Sequence, residues 1–175
     1  MAPSKPTRNL AITTADGQSG HLIAELILSD TEFSSKLASL TLLALDPSKC
    51  TDLEAEAESS ELKLTVVKHT SGKALVKILQ DASVDTIMLI PPAHKDKLDL
   101  TTAMIEATKE AGVKNVVLLS SAGADLAERE KQPRLREFID IEQMVLETKG
   151  LTSTDAAHSP CIIRLVRFLP PLICC

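Results

Sequence analysis

Short unbroken apolar blocks alternate along this chain with stretches in which apolar residues recur every three or four positions. The first block, Asn9-Leu10-Ala11-Ile12-Thr13-Thr14, is rich in β-branched residues and runs into a glycine-bearing turn, which predicts a strand. Leu22, Ile23, Leu26 and Ile27 then recur at helical spacing, with Ser19 placed to cap that helix. Leu40 to Leu45 predicts a second strand, closed by Asp46-Pro47-Ser48, and Leu62 to Val67 predicts a third. Between them the acidic stretch Thr51 to Ser60 reads as a solvated loop or a short exposed helix. Ala74 to Leu79 belongs to a helix capped near Ser71, and Thr86-Ile87-Met88-Leu89-Ile90 predicts a buried strand halted by Pro91-Pro92. Leu98 to Ala111 reads as a helix with Leu100, Ala103, Met104 and Ala107 on one face, ended by Gly112. Asn115 to Leu119 is a fifth strand, followed by Ser120-Ser121-Ala122-Gly123. Leu135 to Thr148 is an amphipathic helix with Gly150 just beyond its end, and Cys161 to Leu165 is a sixth strand.

Continuous apolar strands alternating with helices of this length describe a parallel sheet buried on both faces. The fold class is α/β, a doubly wound, Rossmann-like parallel sheet of about six strands in the order 3-2-1-4-5-6. The expected organisation is a flexible N-terminus over residues 1–8, one Rossmann-like domain over residues 9–165, and a divergent apolar tail over residues 166–175.

Composition narrows the function classes. The net charge is −5, and the chain has three Phe, no Trp and no Tyr. A basic footprint for nucleic acid is missing, as are the stacking aromatics of a single-strand binder. No stretch approaches the length of a membrane span, and residues 1–8 have neither the charge nor the apolar run of a targeting segment. The cysteines at 50, 161, 174 and 175 have no metal-ligand spacing, so no metal is expected. They read as free thiols in a reducing cytoplasm or nucleus. A lipidated Cys174-Cys175 end would want an upstream polybasic signal that is lacking.

The turn after the first strand holds the clearest candidate chemistry. A dinucleotide site needs a strand turning sharply into a helix, with no side chain where the pyrophosphate approaches the helix N-terminus. Thr14-Ala15-Asp16-Gly17-Gln18-Ser19-Gly20 occupies that junction. Gly17 would admit the phosphates and Gly20 would let helix and strand pack closely. The alternative is a plain βα turn that has lost its ligand, which Thr14 and the Asp16 carboxylate favour.

From Ile12 to Leu28 the chain resembles the NmrA-like proteins, an atypical branch of the short-chain dehydrogenase/reductase superfamily. Their Gly-x-x-Gly-x-x-Gly turn is matched by Thr14, Gly17 and Gly20. The resemblance continues through Leu89-Ile90-Pro91-Pro92 and the helix at Leu98 to Ala111. It is clearest over Gly112 to Ala124, resumes at Phe138 to Glu142 and reaches Arg164. It implies a bound NAD(P), with Thr14, Gly17, Gln18, Ser19, Gly20, Asp46, Lys49, Pro91 and Ser120 around it. Where the family often has Arg, this chain has Leu45. Asp46 would favour NAD and Lys49 would partly restore phosphate binding, so the choice between NAD and NADP stays open. The family ordinarily continues into a further small domain, which makes a C-terminally truncated member the expectation here.

With no Tyr, the Tyr-x-x-x-Lys proton donor of short-chain reductases is excluded. No catalytic residue is assigned. Glu142 reads as a structural acceptor on a helix flank without a partner to tune it. Ser120 and Ser121 sit where a nicotinamide or substrate would lie, or cap the strand end. Of His21, His69, His94 and His158, only His94 lies near the cofactor edge. Three functions follow: a non-catalytic redox-sensing regulator acting on a protein partner, an NAD(P)H-dependent reductase of quinones or similar electrophiles, or a degenerate chain that binds nothing. An exposed edge on the sixth strand would invite homo-oligomers.

Overall fold

The structure, a computed structural model, describes residues 8–60, 62–147 and 159–165. The flexible N-terminus expected at 1–8, apart from Arg8, lies outside the described residues, as do Thr148, Gly150, His158 and the apolar tail at 166–175 with its two cysteines.

Six parallel strands form one sheet in the order β3-β2-β1-β4-β5-β6. They are β1 (Arg8–Thr13), β2 (Leu37–Ala44), β3 (Lys63–Lys68), β4 (Thr86–Leu89), β5 (Asn115–Ser121) and β6 (Ser159–Leu165). The helices are α1 (Gln18–Ser29), α2 (Thr31–Ser34), α3 (Thr51–Ala57), α4 (Gly72–Asp81), α5 (Lys97–Ala111) and α6 (Pro133–Glu147), with 3-10 turns at Pro47–Cys50 and Ala124–Leu126.

The two faces follow from strand alternation. Ala11, Leu43, Ile87, Leu89, Val116 and Leu118 point to one face, where Leu75, Leu79, Met104, Ile105, Ile141 and Val145 of α4, α5 and α6 close over them. Ile12, Leu40, Leu42 and Leu119 point to the other, against Ala24 and Leu28 of α1 and Leu53 and Ala57 of α3. Ile163 and Leu165 share the second face and are exposed on the edge strand.

Several local expectations are corrected. The stretch at 51–60 is not merely solvated: α3 buries Leu53 and Ala57. The α1 cap is Gly17 rather than Ser19, because the helix begins at Gln18 and puts Ser19 inside its first turn. Ser71 does precede α4, but its side chain makes no capping bond. On α5 Met104 and Ala107 are buried and Leu100 packs against the same core, joined by the buried Lys97, Thr101, Ile105 and Thr108; Thr101 and Thr108 reach this interior by donating to the carbonyls one turn back. Gly112 ends α5 at φ 76°, the left-handed conformation glycine adopts without strain.

Candidate functional site

The strand order reverses between β1 and β4, and a doubly wound sheet opens its ligand crevice at that point, outside the carboxyl ends of the strands. Two adjacent threonines fix the crevice. Thr13 Oγ1 accepts from the Ile90 amide at 2.7 Å, and Thr14 Oγ1 donates to the Ile90 carbonyl at 2.6 Å. The end of β1 is thereby tied to the residue before Pro91.

The chain then turns within three residues, Gly17 N–H donating to the Thr14 carbonyl at 3.0 Å, and enters α1. Gly17 supplies no capping side chain and the first turn of α1 carries no acidic residue. The amides of the first turn of this twelve-residue helix are therefore left without a capping side chain at the switch-point end, while the nearest carboxylate, Asp16, is directed to the tip of β2. A Cβ on Gly20 would stand 2.3 Å from the Thr14 carbonyl oxygen, so only glycine lets the helix lie this close to the turn. A Cβ on Gly17 would meet Thr14 Cγ2 at 3.1 Å and the Thr14 carbonyl oxygen at 3.2 Å. Thr14 itself adopts φ 54°, a left-handed conformation that a β-branched residue adopts only under constraint.

Asp16 reaches across to the end of β2. Its Oδ1 accepts from the Leu45 amide and its Oδ2 from the Asp46 amide, both at 3.0 Å. Asp46 in turn caps the 3-10 turn, accepting from the Ser48 amide at 3.2 Å and hydroxyl at 2.6 Å. The Ser48 hydrogen bonds, assisted by Lys49 and Lys68, hold the Asp46 carboxyl below its usual range. His69 follows β3, donating from its backbone to the Ala44 carbonyl at 2.6 Å, while its Nε2 is buried without a partner. Burial holds this imidazole below its ordinary value, the Asp16 charge opposing in part.

Thr14, Gly17, Gln18, Ser19 and Gly20 thus form one turn, with Asp46 and Lys49 beside it through Asp16 and Pro91 beside it through Ile90. Ser120 does not join them. Its hydroxyl is buried beneath α6 and donates to Glu142 Oε1 at 2.6 Å. Glu142, only 6% exposed, also accepts from Arg164 Nε at 2.9 Å and Nη2 at 2.7 Å. It has the partners sequence reasoning did not find: Arg164 foremost, with Ser120, lowers its carboxyl pKa against the effect of burial. Arg164 lies directly opposite Ser120 in the β5–β6 register, a pairing invisible until the strands are aligned.

Lys97 was also missed. Buried at the start of α5, it pairs with Glu137 at 3.0 Å, donates to the Arg134 carbonyl and lies 4.1 Å from the Phe138 ring centre. His94 sits exposed against Asp96 at 3.3 Å. His21, in the first helix, pairs with Asp52 at 2.8 Å. Cys50 is buried, which pushes its thiol up to about 11 and makes it a poor nucleophile. Among the described residues no cluster of three or more His, Cys, Asp or Glu could hold a metal, and no helix is long and apolar enough to cross a membrane.

Residues 15–155 match the family described as NAD(P)H-binding. No curated protein matches the sequence. Among solved structures, the NADPH-dependent quinone oxidoreductase QOR2 of Escherichia coli, complexed with NADPH, is 26% identical with a TM-score of 0.67, over 89% of this chain and 48% of that one. The triphenylmethane reductase of Citrobacter sp., complexed with NADP(H), is 19% identical with a TM-score of 0.59, over 80% and 46%. Leucoanthocyanidin reductase of Vitis vinifera, in complex with NADPH, is 20% identical with a TM-score of 0.60, over 79% and 46%. These last two share the fold. The chain spans about half the length of all three. Family match, strand order and glycine turn agree: the chain belongs to the NAD(P)H-binding family, in its NmrA-like, atypical short-chain dehydrogenase/reductase branch.

Proposed function

We propose that this chain binds the diphosphate of NAD(P)H on the N-terminus of α1 and serves hydride transfer to a small electrophile of the quinone type. The observation that carries the reading is the uncapped first turn of α1, held at the switch point by Gly20 and facing the crevice. The residues present fit the group. Gly17 brings no side chain of its own to the helix amides, with the Thr14 methyl as the neighbour that borders it, and His69 Nε2 is an orphaned polar atom at the same sheet edge. In this reading Thr14, Gly17, Gln18, Ser19 and Gly20 line the diphosphate, Asp46 and Lys49 flank the adenosine ribose, and Pro91 borders the nicotinamide end.

When bound, the nucleotide would supply the hydride. The chain's own residues bind and orient it, and they limit the acceptor. A ketone becomes a strongly basic alkoxide that needs a proton donor at the site, and this chain has no Tyr to serve. Glu142 is unsuited, since Arg164 holds it ionised. A quinone becomes a weakly basic phenolate that water can protonate, so its reduction requires no such residue. The similarity to the quinone oxidoreductase QOR2 supports the same acceptor class.

The test mixes the protein with NADH or NADPH and a benzoquinone and follows loss of the nicotinamide absorbance, beside a ketone control. Saturable, quinone-dependent oxidation with no ketone reduction is expected. Failure to bind either nucleotide at roughly millimolar concentration would overturn the reading. Binding without turnover would instead support a redox-sensing regulator, the second reading, which the locked state of Glu142 favours.

A further inference from the structure

Resting on the dinucleotide reading above, we infer that Asp16 makes this site select NAD(H) over NADP(H), by filling from within the chain the place where a 2′-phosphate would bind.

The end of the second strand is where a doubly wound domain distinguishes the two nucleotides. A carboxylate there accepts from a free 2′-hydroxyl, whereas a cation accommodates the 2′-phosphate. Two consecutive backbone amides, those of Leu45 and Asp46, point outward at this tip and would form a small anion seat. In this chain they are already taken. The two oxygens of Asp16 sit one on each amide at 3.0 Å, the arrangement an incoming phosphate would need. The anion comes from the glycine turn itself, from the residue directly before Gly17, and so arrives with the fold.

Electrostatics adds to the occupancy. Asp46 places a second carboxylate at the tip, kept ionised by the hydroxyl and amide of Ser48. Lys49 and Lys68 lie near enough to act on Asp46. The 2′-phosphate is a near-dianion, so at the two amides it would meet the Asp16 carboxylate already seated there and the Asp46 carboxylate beside it. Leu45, exposed beside the clamp, contributes no charge. A ribose with both hydroxyls free meets the opposite situation. Each carboxylate oxygen of Asp16 has a lone pair left after taking one amide, and a 2′-hydroxyl can donate to it. QOR2 and leucoanthocyanidin reductase are described with NADPH, so this selection separates the chain from its structural relatives.

Titration calorimetry of the unmodified protein with NADH and NADPH tests the inference without any variant. NADH is expected to bind at least about tenfold more tightly, the scale of one unscreened charge contact at a protein surface. Asp16→Asn, which removes the charge and keeps one acceptor for the amides, should shrink that ratio by about tenfold by improving NADPH binding. If Asp16→Asn does not fold, the same comparison with adenosine 5′-diphosphoribose and its 2′-phosphorylated form on the unmodified protein isolates the ribose contact. NADPH binding as tightly as NADH, or more tightly, overturns the inference while leaving the dinucleotide site standing. Absence of binding by both sinks the site itself, and the inference with it.

Discussion

Gly20→Ala puts the geometry of the turn to a quantitative test. The added Cβ would lie 2.3 Å from the Thr14 carbonyl oxygen, 2.9 Å from the Thr14 carbonyl carbon and 3.0 Å from Ala15 Cα, all of them backbone atoms that cannot rotate away. Restoring an ordinary contact means moving α1 from the turn by about 1 Å, at a strain cost of about 3 kcal/mol or somewhat more. Alanine's better helix propensity returns about 1 kcal/mol, leaving a net loss of about 2 kcal/mol. With a urea m-value of about 2 kcal/mol/M for a domain this size, the unfolding midpoint should fall by about 1 M. Equilibrium urea melts followed by far-UV circular dichroism would read it. A midpoint unchanged, or raised by the propensity gain, would refute the close approach of helix to strand and the register of the turn.

Thr14→Gly should barely alter stability, because relief of about 1–2 kcal/mol of left-handed strain is offset by a lost hydrogen bond to Ile90, about 1 kcal/mol. The same change clears the methyl beside Gly17 and should tighten nucleotide binding by calorimetry; weakened binding would show that the Thr14 side chain is itself a contact. Glu142 has a lowered folded pKa, so its contribution is complete above the ordinary value of 4.5 and lost as pH falls through the folded value. Glu142→Gln should cost about 2 kcal/mol at neutral pH and flatten the acid limb of a stability–pH curve, whereas an unchanged limb would contradict the Arg164 pairing. His69 is held below its ordinary 6.5, so the unfolded chain takes up its proton first and stability declines as pH falls below that value. His69→Gln should remove that decline in thermal melts, and its persistence would show that the ring is solvated.

The strand order and the turn were legible because each rests on a local signal. Apolar blocks such as Thr86 to Ile90 mark buried parallel strands, and Gly17 and Gly20 sit three apart at a strand–helix junction. What escaped the sequence depends on which residues the fold brings side by side. Asp16 reads as an unfavourable charge in a phosphate turn, and only the β1–β2 pairing shows it seated on the amides of Leu45 and Asp46. Arg164 and Glu142 are 22 residues apart and meet only once α6 crosses the β5–β6 edge. Lys97 carries no signal in the sequence; its burial against Phe138 and Glu137 follows from α5–α6 packing, for which residue spacing on either helix carries no sign. Ser19 was mistaken for the cap because serine is a frequent cap, while the structure uses the residue that leaves the amides open.

The central claim is that the first turn of α1 is the nucleotide's seat. Amide chemical-shift mapping of the 15N-labelled protein during titration with NADH measures that most directly. Saturable shifts centred on Gly17, Gln18, Ser19 and Gly20, extending to Leu45 and Asp46 at the tip of β2, are the result this account predicts. Shifts that never saturate, or that cluster away from this turn while these amides stay fixed, would contradict it.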